Sequence, residues 1–128
     1  MTTGRKVILG FVVNMMFTTR IESVAEAVGY EVQWVESLAD WKNPTIEKLS
    51  RINPYLILID LGISDIRWKD WINKIKSCQT RNAFPILCFG SHMDIDGLNS
   101  AKLAGADRVM SRSSFFSSIA KIIEKYAN

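Results

Sequence analysis

Cysteine, histidine and proline are scarce in this chain of 128 residues, at two, one and three copies. Cys78 and Cys88 fit no metal-ligand spacing and no disulfide framework, so two reduced thiols are expected. A single histidine leaves no nucleophile–base–orienting set of the kind hydrolysis needs. Neither a G-x-G-x-x-G fingerprint nor a Walker pattern occurs, which argues against dinucleotide and P-loop chemistry. Charge of one sign is also lacking: 16 Lys and Arg against 13 Asp and Glu leave a net +3. The basic residues are scattered, whereas a nucleic-acid face clusters them. No repeat, low-complexity tract or linker interrupts the chain, and its length suits one domain, residues 1–128. Long hydrophobic runs are missing too. "VILGFVVNMMF" after Arg5-Lys6 has the outline of a signal peptide but is far too short to span a bilayer. Polar "TTRIE" follows it, and the small pair Ala25 and Ala27 sits inside a helical pattern. The stretch is read as a buried strand, and a cytoplasmic location is expected.

What the chain does contain is a regular alternation of apolar runs and amphipathic segments. "KVILGFVV" (6–13), "YEVQWVE" (30–36), "YLILID" (55–60), "FPILCFG" (84–90) and "DRVMS" (107–111) read as strands. The third is a continuous apolar run, as expected of a strand covered on both faces. "TTRIESVAEAVG" (18–29) reads as a helix with a Thr19/Glu22 capping box, an Ile21/Val24/Ala25/Val28 face and Gly29 as its left-handed stop. "NPTIEKLSRI" (43–52) is a short helix, with Asn43 as cap and Pro44 in its first turn. "WKDWINKIKSC" (68–78) turns Trp68, Trp71, Ile72 and Ile75 inward. "DGLNSAKLAG" (96–105) closes on Gly105. "SFFSSIAKIIEKYA" (114–127) has Phe116, Ile119, Ala120 and Ile123 on its core stripe and Ser113 or Ser114 as cap. Five strands alternating with five helices predict right-handed parallel crossovers. The expected fold class is α/β, a doubly wound five-stranded parallel sheet of the flavodoxin-like order 2-1-3-4-5. Sites in such sheets lie beyond the carboxyl ends of the strands. Flavin binding there wants a Ser/Thr/Gly-rich turn after the first strand, and Thr18 and Thr19 are only a faint echo of one. The Asp-x-His-x-x-Gly signature of cobalamin-binding domains is absent as well. No cofactor is expected.

The pieces "GYEV", "PYLILIDLGISD", "FPILCFGSH" and above all "AKLAGADRVMSR" carry a resemblance. The chain resembles the receiver domain of bacterial two-component response regulators, over about residues 5–127. That resemblance implies five landmarks. An acidic pair after the first strand holds Mg²⁺, and an aspartate ending the third takes a phosphoryl group. A Thr or Ser ending the fourth strand and a Lys ending the fifth contact the phosphate. Matched one by one, the phospho-acceptor falls on Asp60. The acidic pair falls on Val12 and Val13, and a shift of two residues either way supplies no carboxylate. The hydroxyl position falls on Gly90, with Ser91 adjacent but expected to point elsewhere. The lysine falls on Arg112. With one landmark of five kept, the resemblance implies an atypical or pseudo-receiver without Mg²⁺ ligands and without catalysis of its own. Arg112 is the counter-ion expected for Asp60, in a two-pronged contact; the alternative is that Asp60 bonds to backbone N–H groups of "LGIS".

Three other features have two readings each. His92, Asp94 and Asp96 in "SHMDID" form a weak metal cluster or, as we favour, a loop histidine followed by a helix cap. Met15, Met16 and Phe17 are core packing or a hydrophobic staple onto the first helix, or else an exposed docking patch, since three in a row cannot all face inward on one strand. Phe115, Ile122 and Tyr126 lie off the predicted core stripe, so Phe115 and Tyr126 join the docking candidates, and Trp41 lies in a polar loop. The function expected is signalling by contact with a protein partner or a second copy of the chain, with no direct nucleic-acid or membrane role. The alternatives are a small-ligand-binding flavodoxin-like domain and a slow receiver that still uses Asp60.

Overall fold

The computed structural model describes residues 6–12, 14–35, 51–62, 68–78 and 84–126. Five parallel strands form its sheet: β1 (Lys6–Phe11), β2 (Tyr30–Trp34), β3 (Leu56–Asp60), β4 (Ile86–Gly90) and β5 (Arg108–Ser111). Their order is β2-β1-β3-β4-β5, the one expected. Because β1 has later strands on both sides, the crossovers run in both directions and put helices on both faces.

Strand alternation divides the interior into two cores. Ile8, Val12, Leu56, Leu58, Leu87 and Phe89 point to one face. They meet Ile21 and Ala25 of α1 (Met15–Ala27) and the apolar stripe of α4 (Arg112–Ser117) and α5 (Ile119–Lys125). Leu9, Phe11, Ile57, Ile59, Ile86 and Cys88 point to the other face. There they meet Trp71, Ile72 and Ile75 of α2 (Trp68–Cys78) and Ala101 of α3 (Ile95–Ala104). Every residue of β3 and β4 is buried, which is why both read as unbroken apolar runs.

Several local expectations change. Helix α1 starts at Met15, because Asn14 caps it by accepting from the Met16 N–H at 2.9 Å. The Thr19/Glu22 capping box therefore does not form: position 19 is already inside the helix, and Glu22 accepts the Trp34 indole N–H instead. Gly29 and Gly105 stop their helices at φ 88° and 114°, as expected. Asp94 caps α3 by accepting from the Gly97 N–H at 3.0 Å. Ser111, rather than Ser113 or Ser114, caps α4 by accepting from the Ser114 N–H at 3.2 Å. The last helix is broken at Ser118, whose φ of −127° is not helical. The buried stripe across that break is Phe115, Phe116, Ile119, Ile122 and Ile123, while Ala120 is exposed. The helix predicted at 43–52 lies outside the described residues except for helical Arg51 and Ile52, and Trp41 lies outside them too.

Candidate functional site at the strand ends

The carboxyl ends of β1, β3, β4 and β5 meet at one pole of the sheet, and Asp60 is central there. It is the only polar or charged residue buried among those described, at 5% exposure. A carboxylate so placed needs partners. One is the Gly62 N–H, which donates to Asp60 Oδ1 at 2.9 Å. A second is the Arg112 guanidinium, whose Nη2 lies 3.6 Å from the same oxygen. Both alternatives raised for Asp60 are thus realised together. The two-pronged geometry is not: a single nitrogen approaches, at ion-pair rather than hydrogen-bond distance. Gly62 leaves room for the pair, since a β-carbon there would stand 3.2 Å from Asp60 Oδ1 and 3.3 Å from Arg112 Nη2.

The other landmark positions are apolar or occupied. Val12 is 3% exposed and belongs to the α1-side core. Val13 lies outside the described residues. At Gly90 a β-carbon would stand 3.2 Å from Leu61 Cβ, so a hydroxyl-bearing residue there would crowd the Leu61 side chain. Ser91 is turned into the next loop, where its Oγ accepts from the Met93 N–H at 3.2 Å. His92 and Asp96 are exposed, and among the described residues no group of three His, Cys, Asp or Glu converges. Among the described residues Asp60 is the one carboxylate buried at this pole, and its Oδ1 already faces a cation. This donor set does not suit Mg²⁺, which takes hard oxygen ligands in octahedral array and sheds water reluctantly.

The docking candidates separate. Met15 and Met16, in the first turn of α1, are 79% and 80% exposed. They edge a shallow depression on that helix with Thr19, Arg20, Ser23 and Val24. Phe17 turns inward, its ring 5.1 Å from Phe116 and 6.3 Å from Phe89. Phe115 is no surface residue at all: it is fully buried and stacked on Phe89, centroids 4.6 Å apart and planes within 3°. Its placement off the core stripe fails because the buried stripe is wider than one helical row. Tyr126 is half-buried against the same core. Burial pushes its hydroxyl pKa up, Arg108 pulls it down and Asp107 adds a smaller upward push. Sequence reasoning missed two further exposed groups near this pole, Met93 and Ile95, at 77% and 64% exposure after β4. The signal was present as apolar residues inside an otherwise polar loop. Cys88 is buried and free, its thiol pushed up to about 12 by burial and secondarily by Asp107, as suits an inert core thiol.

No protein-family model matches the chain, and no curated protein matches it. Solved structures do. A response-regulator signal receiver domain from Bermanella marisrubri superposes with TM-score 0.77 at 22% identity, covering 97% of this chain and 99% of that one. The orphan response regulator HP1043 of H. pylori gives 0.72 at 19% identity, with coverages of 99% and 100%. The receiver domain of the sensor histidine kinase PA1611 from Pseudomonas aeruginosa, with a magnesium ion coordinated in its active-site cleft, gives 0.75 at 16% identity, covering 96% and 98%. The chain has the fold of response-regulator receiver domains along essentially its whole length.

Proposed function

We propose that this chain is a single receiver-like domain, residues 1–128, that signals through protein–protein contact and has given up aspartyl phosphorylation. The observation that carries this reading is the pairing of Asp60 with Arg112 at 3.6 Å, beside Val12 and Gly90 at two other landmark positions. Phosphoryl transfer to a carboxylate gathers negative charge that a divalent cation must neutralise. Here a fixed internal cation already answers the carboxylate. Gly62 and Arg112 both face Oδ1, the oxygen that a divalent cation would otherwise neutralise during transfer to the carboxylate. The domain has no chemistry of its own on this reading. Its output is a surface, and the exposed Met15 and Met16 edge is the part best suited to an adaptable apolar contact. The partner is a protein, or a second copy of the chain, met in the cytoplasm. Among the described residues no helix is long and apolar enough to cross a membrane.

One preparation with two arms tests this. Titrated with Mg²⁺ and beryllium fluoride and followed by ¹⁹F NMR, the protein should show no bound beryllofluoride; a bound resonance that Asp60→Asn removes would restore the phospho-acceptor alternative. In pull-downs, a partner captured by the wild type should be lost from a folded Met15→Ser/Met16→Ser variant. Equal capture by both would remove that edge from the docking surface.

A further inference from the structure

The arginine at position 112 has a second contact besides Asp60. Its guanidinium lies over the Phe17 ring, 5.1 Å from the centroid. Phe17 in turn lies 5.1 Å from Phe116, the two rings tilted by 36°. Phe116 also meets a second guanidinium, that of Arg20, again 5.1 Å from the ring centroid. Arg20 also donates through Nη2 to the Phe116 carbonyl at 3.3 Å. The contacts link cation, ring, ring and cation, and successive members alternate between α4 and α1.

We propose that Arg20, Phe116, Phe17 and Arg112 form one cation–aromatic stack that fixes the first turn of α1 against the start of α4. The Met15 and Met16 edge is thereby presented in a single preformed orientation. The physical basis is the negative face of each phenyl ring, which attracts a guanidinium and does so more strongly where water is excluded. Arg112 Nε is buried and has no hydrogen-bond partner among the described residues, so that part of the group has packing rather than a hydrogen bond. A planar guanidinium stacks on a ring in a way an ammonium does not, which explains why arginine rather than lysine serves here. Preforming a surface lowers the ordering cost of binding it. This consequence rests on the docking reading of Met15 and Met16; the stack itself does not.

Amide hydrogen exchange on the isolated wild-type protein and its variants tests the stack with no partner present. The Phe17 and Thr18 amides, both bonded to the Asn14 carbonyl at 3.0 Å, report the first turn. Those of Ile8 and Leu58, in the central strands, report global opening. Arg112→Met should speed exchange of the first pair about three- to tenfold beyond whatever rise the loss of Asp60's counter-ion gives the second pair. Phe17→Leu should do the same, and the double variant should add little to either single one. Arg112→Lys, which keeps the charge facing Asp60, should recover only part of the protection. Additive effects of the two substitutions, full recovery with lysine, or first-turn rates that follow the strand amides would each overturn the stack. None of these outcomes bears on partner capture, which is decided separately by the serine variants of Met15 and Met16.

Discussion

A threonine at position 90 would set its β-carbon 3.2 Å from Leu61 Cβ, and Leu61 is itself buried in the α2-side core. Restoring that one receiver landmark therefore does not restore a site. It crowds a core leucine, which must give by a few tenths of an ångström. Gly90→Thr is expected to cost about 1–3 kcal/mol in urea denaturation, the usual range for added atoms in a packed interior. An unchanged midpoint would show that Leu61 moves aside freely. At this scale the sequence was most legible where a residue's chemistry has few outlets. A carboxylate closing an apolar strand demanded a partner, and the cation at the end of β5 and the backbone of "LGIS" were both named. That Phe17 turns inward while Met15 and Met16 stay out was not legible. It depends on Arg112 and Phe116, about a hundred residues away in sequence, and no spacing rule reaches that far.

The turn spelled "AGAD" shows what a recognisable element contains physically. Gly105 takes the left-handed conformation, and the Ala106 N–H then donates to the Ala101 carbonyl at 3.1 Å. The Asp107 N–H donates to the Ile86 carbonyl at 2.9 Å, and its side-chain Oδ2 accepts from the Ile86 N–H at 2.8 Å. The same oxygen meets Lys76 Nζ of α2 at 2.5 Å. One aspartate thus sets the register of β5 on β4 and ties both to a helix. Asp107→Ala should cost about 1–2 kcal/mol, chiefly by stranding the Ile86 N–H, with the half-exposed ion pair contributing less. Denaturant melts against wild type check this, and Asp107→Asn should recover much of the loss. Element type and order were readable because apolar runs and helical faces alternate without interruption. Element ends were readable at Gly29, Asp94 and Gly105 but not at every element. Asn14 and Ser111 cap helices directly beyond the strands, with almost no loop, and the break at Ser118 has neither glycine nor proline to announce it.

Across the whole molecule, three groups among the described residues hold their protons more tightly when folded than when unfolded. Burial, and secondarily Tyr55, raises the pKa of Tyr30, whose hydroxyl has no hydrogen-bond partner among the described residues. Tyr126 is also raised by burial, and Cys88 reaches about 12. A folded value above the unfolded one means a contribution that is complete below the unfolded pKa and lost as pH rises through the folded value. Stability should therefore decline from about pH 9 upward, the thiol first and then the two phenols. Urea midpoints measured from neutral pH into that range check the sign, and Cys88→Ala should remove the earliest part of the decline. A midpoint that rises with alkali would contradict it.

The position of β1 also has a consequence for synthesis. It leaves the ribosome before every other strand, yet it ends between β2 and β3. Once β2 has been made, β1 can pair along one edge only. Its other row of amides and carbonyls stays open until residues 56–60 follow. The half-made domain is thus a two-stranded sheet with an apolar, unguarded edge, the form most prone to join with a neighbour. Closing that edge waits on β3, the strand that ends in Asp60.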